Sequence, residues 1–330
     1  MLALLVEGGK TKTLVAVIDE KGEVKSTALS GSTGWSTVGF EKAFKNLVEV
    51  LNKAISPLKA RGEHIEIAVM GLPDLDTKRV QRAFYNKLSS IGVLEKSRLI
   101  VIPDYVIAYY AVTLGKPGIA VIAGTGAIAY GRNSRGEEGR AGGWGWFGND
   151  EGCSIWIAMK GLEAAFKGVD GRGPKTRIWD KVSEYFSVED PYEIIEAIYS
   201  VAREDVGRLG AIAKLVDEAA REGDPIATSI LELGGRELAS MVFSVYNKIG
   251  IQGEHYIIGG VGSVFSSTIL DRAFREEVKR LIENSIVVEP LVHYKPVKGL
   301  LAVLVDEGYV DESILDKALS NIEKRVEHST

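Results

Sequence analysis

Apolar positions along the chain alternate between two periods. Residues 4 to 19, "LLVEGGKTKTLVAVID", run apolar, break at Gly8-Gly9 among polar neighbours, and return to an apolar run closed by an acid. That pattern predicts a buried hairpin. "EVKSTAL" (23 to 29) adds a third strand. From Phe40 to Ile55 the spacing becomes helical, with Phe40, Phe44, Leu47, Val48, Leu51 and Ile55 on one face. "IEIAVMG" (65 to 71) reads as a buried strand, Val80, Phe84, Leu88 and Ile91 mark a second helix, and "RLIVIPD" (98 to 104) is a strand that stops at a carboxylate. The predicted order is β-β-β-α-β-α-β.

The order restarts near Lys116. "GIAVIAGTGAIAYGRN" (118 to 133) is again two strands joined by a glycine turn, and a helix carrying Ile155, Trp156, Met159, Leu162 and Phe166 begins near Gly152. Helices dominate from Tyr192 to Lys248, one of them opened by Asp224-Pro225 as N-cap and first-turn proline. "YIIGGVGSVF" (256 to 265), a helix with Leu270, Phe274, Val278 and Leu281, and the short strand "SIVVEP" follow. A pattern written twice predicts an α/β protein of two lobes across a cleft, with duplicated βββαβαβ units. The expected division is 1–113 plus about 308–330 for the N-terminal lobe and 114–307 for the C-terminal lobe, the last helix (311 to 326) packing back on the first.

Composition narrows the partners. Forty basic and forty-five acidic side chains in 330 residues give a net charge of −5, and no basic run matches a nucleic-acid backbone. The longest apolar stretches, such as "LLAVLV" (300 to 305), fall far short of a membrane span, and the N-terminus lacks the basic region of a signal peptide, so a cytoplasmic protein is expected. One cysteine, Cys153, excludes an intrachain disulfide, and His64, His255, His293 and His328 are too scattered for zinc. Two glutamines and one cysteine beside many Lys and Glu match the composition of a thermophile.

Candidate chemistry gathers at three glycine turns: Gly8-Gly9, Gly124-Thr125-Gly126 and Gly259-Gly260-Val261-Gly262. Glycine lets backbone N–H groups approach an anion, and Thr and Lys add donors, so each could cradle phosphate; each could also be a plain hairpin turn. "GGKT" is not a Walker A loop, because Leu5 stands where its first glycine belongs, and "GTGAIA" continues as a strand where a dinucleotide fold needs a helix. Two of the turns occupy the first hairpin of each repeat. With Glu7 beside the first turn for a metal and Asp104 at a strand end for a proton, these are the parts of phosphoryl transfer. Asp104 also reads as the cap of the following helix, Asp150 and Glu151 as a helix start, and Trp144 and Trp146 as packing. Strand alternation puts Lys10 and Lys12 on one side, so at least one faces phosphate.

"AGGWGWFGNDEGCSIWIAMKGLEAAFKGVDGRGPKT" (141 to 176), with "AGTGAIAYGRN", "DYVIAYYA" (104 to 111) and "GGVGSVF" (259 to 265), resembles the sugar kinase/Hsp70/actin superfamily. Within it the chain is similar to the BadF/BadG/BcrA/BcrD-type ATPases, which include N-acetylglucosamine kinases and archaeal hexokinases. The resemblance implies a two-lobed ribonuclease H-like (actin-like ATPase) fold and an ATP- and Mg2+-dependent kinase for a hexose or amino sugar. It implies a first phosphate loop at Gly8, Gly9, Lys10, Thr11, Lys12 and Thr13, a second at Gly124, Thr125 and Gly126, and an adenosine site at Gly259, Gly260, Val261 and Gly262. It makes Asp104 the base and a sugar ligand, Glu7 the metal residue, and Thr33, Gly34, Trp35, Gly143, Trp144 and Asp150 the sugar pocket, in a homodimer. Glu7 replaces the family's aspartate, Lys10 a Gly or Ser, and Gly34 the asparagine that often reaches the sugar. A non-catalytic nucleotide or sugar sensor is the alternative. The family's electron-transfer activators need an iron-sulfur cluster between subunits, which a single Cys153 within a helix cannot supply.

Overall fold

The computed structural model describes residues 1–330 except Trp146, Phe147, Asn149, Asp205, Gln252, Tyr294 and 328–330. The chain divides into two compact units, one of residues 1–115 and 293–330 and the other of residues 116–292.

The first unit is built on a five-stranded sheet ordered β3-β2-β1-β4-β5. Its strands are β1 (Leu2–Glu7), β2 (Lys12–Asp19), β3 (Val24–Gly31), β4 (Ile67–Leu72) and β5 (Arg98–Pro103). β1, β2 and β3 form the antiparallel meander, with Glu7 opposite Leu14; β4 and β5 join β1 in parallel. β1 and β4 are apolar almost throughout, as strands covered on both faces must be. Helices α1 (Trp35–Val38), α2 (Phe40–Lys59), α3 (Lys78–Ser89) and α4 (Asp104–Thr113) fill the connections.

The second unit repeats this plan as β10-β9-β6-β7-β8. β6 (Gly118–Ala123), β7 (Ala127–Arg132) and β8 (Glu138–Gly142) are the meander; β9 (Tyr256–Val261) and β10 (Ser285–Val287) are parallel to β6. Helices α5 (Ser154–Val169), α6 (Arg177–Phe186), α7 (Glu193–Glu204), α8 (Ile212–Arg221) and α9 (Pro225–Ile249) form the insertion, and α10 (Thr268–Leu281) connects β9 to β10. Asp224 caps α9 by accepting the N–H groups of Ile226 and Ala227, both at 2.9 Å. Met159, expected on the apolar face of α5, is instead exposed.

The chain returns to the first unit at His293, ahead of the expected position near 308. The reason is α11 (Lys298–Asp306), whose Leu300, Leu301 and Leu304 are buried and which lies directly on α4: a Cβ at Gly299 would stand 2.0 Å from the Ile107 carbonyl. Helix α12 (Leu315–Glu327) then packs near β3.

Candidate active site

Parallel strands present their carboxyl ends on one edge of a sheet, and open α/β sheets bind ligands there. In the first unit that edge carries Glu7 at the end of β1, Pro73-Asp74 after β4, and Asp104 after β5. Asp104 is drawn close because β4 has glycine at position 71, where a Cβ would lie 2.4 Å from Ile107 of α4. The helix can therefore pack hard on the sheet.

Asp104 is the first residue of α4 and its cap position belongs to Pro103, so the carboxylate is not the helix cap that the sequence allowed. Half-buried at the strand ends, its carboxyl is pushed up to about 7, chiefly by loss of water. The Lys10 ammonium and the Tyr105 N–H pull it down, and Asp74 and Asp76 add to the rise. Glu7 is raised to about 8, again by burial first, with Lys12 opposing and Asp104 reinforcing. A carboxyl poised near neutrality can both accept and hold a proton at working pH.

The β1–β2 loop differs in detail from the expected cradle. Gly8 donates its N–H to the Gly71 carbonyl at 2.8 Å, so that donor is committed within the sheet. Thr13 and Thr33 are fully buried; the Thr13 hydroxyl donates to the Gly31 carbonyl (2.9 Å) and lies 3.1 Å from Thr33 Oγ1. They staple the loop to the end of β3. Gly9, Lys10, Thr11 and Lys12 remain as the surface of the loop. The two lysines divide their work: Lys10 pairs with Asp74 at 3.1 Å and acts on Asp104, and Lys12 acts on Glu7.

Beside this loop, Gly34 precedes α1. A Cβ there would stand 3.1 Å from Lys10 Cγ and 3.2 Å from Asp74 Oδ2, so the Lys10 stem and the Asp74 carboxylate fill the space a side chain would take. Trp35, 37% exposed, donates its indole N–H to the Asp74 carbonyl at 2.9 Å. Asp74 was not among the residues singled out from sequence. The signal was present: "GLPD" and "VIPD" end adjacent parallel strands with the same apolar-Pro-Asp run.

In the second unit, Gly124-Thr125-Gly126 does form the β6–β7 turn, closed by Gly124 N–H to Gly126 carbonyl at 3.0 Å. Asp150 organises it from beneath. Its buried carboxylate accepts Ala127 N–H (3.2 Å), Trp144 N–H (2.8 Å) and Gly145 N–H (3.2 Å), which joins the turn to the Gly143–Gly145 segment. That places Asp150 as an internal tie, while Trp144 is 70% exposed. Gly143 has φ +75. Trp146 lies outside the described residues. Cys153 stands at the N-cap of α5, not within the helix.

The third glycine group is corrected. Gly259, Gly260 and Val261 are buried in β9, and only Gly262, with φ +113, turns the chain. Gly260 is required by packing, since a Cβ there would come 2.4 Å from the Phe265 ring. Gly262 ends β9 beside the end of β6, where a Cβ would meet the Ala123 carbonyl at 2.5 Å.

Comparison with known proteins agrees with this plan. The profile of the BadF/BadG/BcrA/BcrD ATPase family matches residues 6–305. An N-acetylmuramic acid/N-acetylglucosamine kinase of Clostridium acetobutylicum is 27% identical over 264 residues, 79% of this chain and 85% of that one. An N-acetyl-D-glucosamine kinase of Dictyostelium discoideum is 26% identical over 257 residues, 76% and 80% of the two chains. Among solved structures, one from Chromobacterium violaceum, provisionally described as an N-acetylglucosamine kinase, superposes with a TM-score of 0.69 at 21% identity, covering 92% of this chain and 98% of that one. A glucokinase from Streptomyces griseus, solved with glucose and AMPPNP, gives 0.58 at 17% identity, covering 93% and 99%. The likeness extends the sugar kinase/actin-like ATPase fold to both units.

Proposed function

The chain belongs to the BadF/BadG/BcrA/BcrD ATPase family, and we propose that it is an ATP-dependent sugar kinase whose acceptor is a hexose or amino sugar of the N-acetylglucosamine, glucosamine or glucose class. The observation that carries the reading is Asp104: a half-buried carboxyl at the carboxyl edge of a parallel sheet, raised to about 7, with a lysine-bearing phosphate loop beside it.

In this reading Asp104 orients a sugar hydroxyl and takes its proton as the oxygen attacks the γ-phosphorus of ATP. One oxygen–phosphorus bond forms, the bond from the γ-phosphorus to the bridging oxygen breaks, and its electron pair leaves with ADP. Gly9, Lys10, Thr11 and Lys12 bind phosphate through backbone N–H groups and ammonium charge. Gly124, Thr125, Gly126 and Gly262 are assigned to the nucleotide, and Gly34, Trp35, Gly143 and Trp144 to the sugar. Glu7 offers one hard oxygen donor at the loop, which fits Mg2+, an ion that takes one or two carboxylates and completes its shell with phosphate and water. Bound there, Mg2+ would neutralise the charge that develops on the phosphates.

Two relatives named for N-acetylglucosamine phosphorylation, at 26–27% identity, support the amino-sugar side of this range. The test is ADP release from ATP and Mg2+ across a sugar panel. Turnover of N-acetylglucosamine or a near relative is the expected result; nucleotide binding without phosphorylation of any sugar would replace the kinase by a sensor.

A further inference from the structure

Asp74 sits where three parts of the first unit meet. Its backbone is left-handed at φ +61, a conformation that costs a non-glycine residue about 1–2 kcal/mol. That turn aims the side chain back from the end of β4 toward the β1–β2 loop. The side chain is 7% exposed. One oxygen holds the Lys10 ammonium at 3.1 Å; the other accepts the N–H (3.0 Å) and the hydroxyl (2.7 Å) of Ser36, while the Asp74 carbonyl receives the Trp35 indole N–H.

Lys10 is the variable part. Its side chain is 35% exposed and its ammonium is within electrostatic reach of both Asp74 and Asp104. A lysine has three donors on a flexible stem and settles on whichever anion holds it best. If it settled on Asp104, it would stabilise the ionised form and weaken it as a base. Buried ion pairs add little net stability, so a strained aspartate holding a lysine calls for another account.

We propose that Asp74 is a positioning residue: it holds the Lys10 ammonium off Asp104 and ties the Trp35–Ser36 turn to the phosphate loop. The catalytic group is Asp104, and Asp74 acts through Lys10. The charges around Asp104 are Lys10 from the β1–β2 loop, Asp74 and Asp76 from the segment after β4, and Glu7 with its neighbour Lys12 from β1 and β2. On α11, Asp306 bonds to Tyr110 toward the far end of α4.

This inference rests on the kinase reading for its meaning, but its primary test does not. The ligand-free protein is labelled with carboxyl-13C aspartate and titrated by NMR, the Asp104 signal being the one lost in Asp104→Asn. Asp74→Asn keeps acceptors for Ser36 and removes the charge that holds Lys10. Asp104 should then titrate about one pH unit or more lower, and Lys10→Met should move it upward. The decisive comparison is a cycle. The Asp74→Asn shift should shrink to less than about half when Lys10 is already Met, because its main route has gone. An equal shift in both backgrounds, or none in either, overturns the proposal. Should Asp74→Asn fail to fold, the same cycle is run with Asp74→Ser, which also removes the charge that holds Lys10, and the same comparison of shifts decides. The acid limb of kcat/KM for the sugar should follow the same signs. A wild-type protein that phosphorylates no sugar would end the kinase reading and leave the NMR result on Asp74 standing.

Discussion

Asp104 and Glu7 carry opposite consequences for activity and for stability. Asp104→Asn keeps size and one hydrogen bond but removes basicity, so kcat should fall by about 100-fold or more with sugar affinity little changed. Because Pro103 holds the cap position, the melting temperature should not report a lost cap. Turnover near wild type would remove Asp104 from the chemistry. With its carboxyl at about 7, kcat/KM should rise about tenfold per pH unit below that value and level off above it. A profile flat from pH 5 to 8 would contradict the assignment. For stability the sign is reversed. A carboxyl whose folded pKa is raised binds its proton more tightly when folded. It therefore contributes stability that is whole below about pH 4 and is lost as pH rises through the folded value. Glu7, at about 8, is the stronger case. Glu7→Gln should melt above wild type at pH 9, the gain should shrink toward pH 5, and activity should be lost. Glu7→Asp should keep activity, since it restores the carboxylate usual in the family. A Glu7→Gln protein with full activity would exclude Glu7 from the metal site.

Elements show where sequence patterns inform and where they mislead. The hairpins β1–β2 and β6–β7, the parallel strands and the amphipathic helices were legible because period-two and 3.6-residue patterns record burial directly. Glycine carries no such record. "GGVG" reads as a turn, yet three of its four residues lie in β9, because the constraint at Gly260 is the Phe265 ring and that contact has no local signature. Asp150 was legible as important, but nothing in sequence says that its oxygens meet three backbone N–H groups. Thr13 and Thr33 are of the same kind: a hydroxyl near a glycine turn gives no sign in sequence of its burial or of its bonds within the fold. If Gly260 is a packing residue, Gly260→Ala should cost about 1–3 kcal/mol by overpacking, read from the urea midpoint. Phe265→Ala should be destabilising by itself, and the double variant should lose less than the sum, because the ring that meets the new methyl is gone. Strict additivity would show that the two do not meet.

At the scale of the molecule, the duplication was visible in sequence, whereas the point of return to the first unit was not. A boundary depends on where long-range contacts change partner, and α11 reads the same whichever unit it joins. Its position has a thermodynamic consequence. Helix α4 is apolar around most of its circumference, with Ile107, Ala108, Tyr109, Ala111 and Val112 all buried. Such a helix needs cover on both sides, the sheet on one and α11 on the other. Leu300, Leu301, Val303 and Leu304 of α11, and Ala318, Ile322 and Val326 of α12, are buried in the intact chain. At about 1.5–3 kcal/mol for each large side chain, the six Leu, Ile and Val contribute roughly 9–18 kcal/mol, comparable to the whole 5–15 kcal/mol by which a domain is stable. Residues 116–292 form a continuous segment with both ends of the unit in one piece. A fragment of 116–292 should therefore unfold cooperatively on its own, and 1–115 alone should not. Joining 1–115 to 293–330 through a short flexible linker should restore a cooperative transition to the first unit, followed by circular dichroism in urea. Cooperative unfolding of 1–115 without 293–330 would mean that α11 and α12 decorate the first unit instead of completing its core.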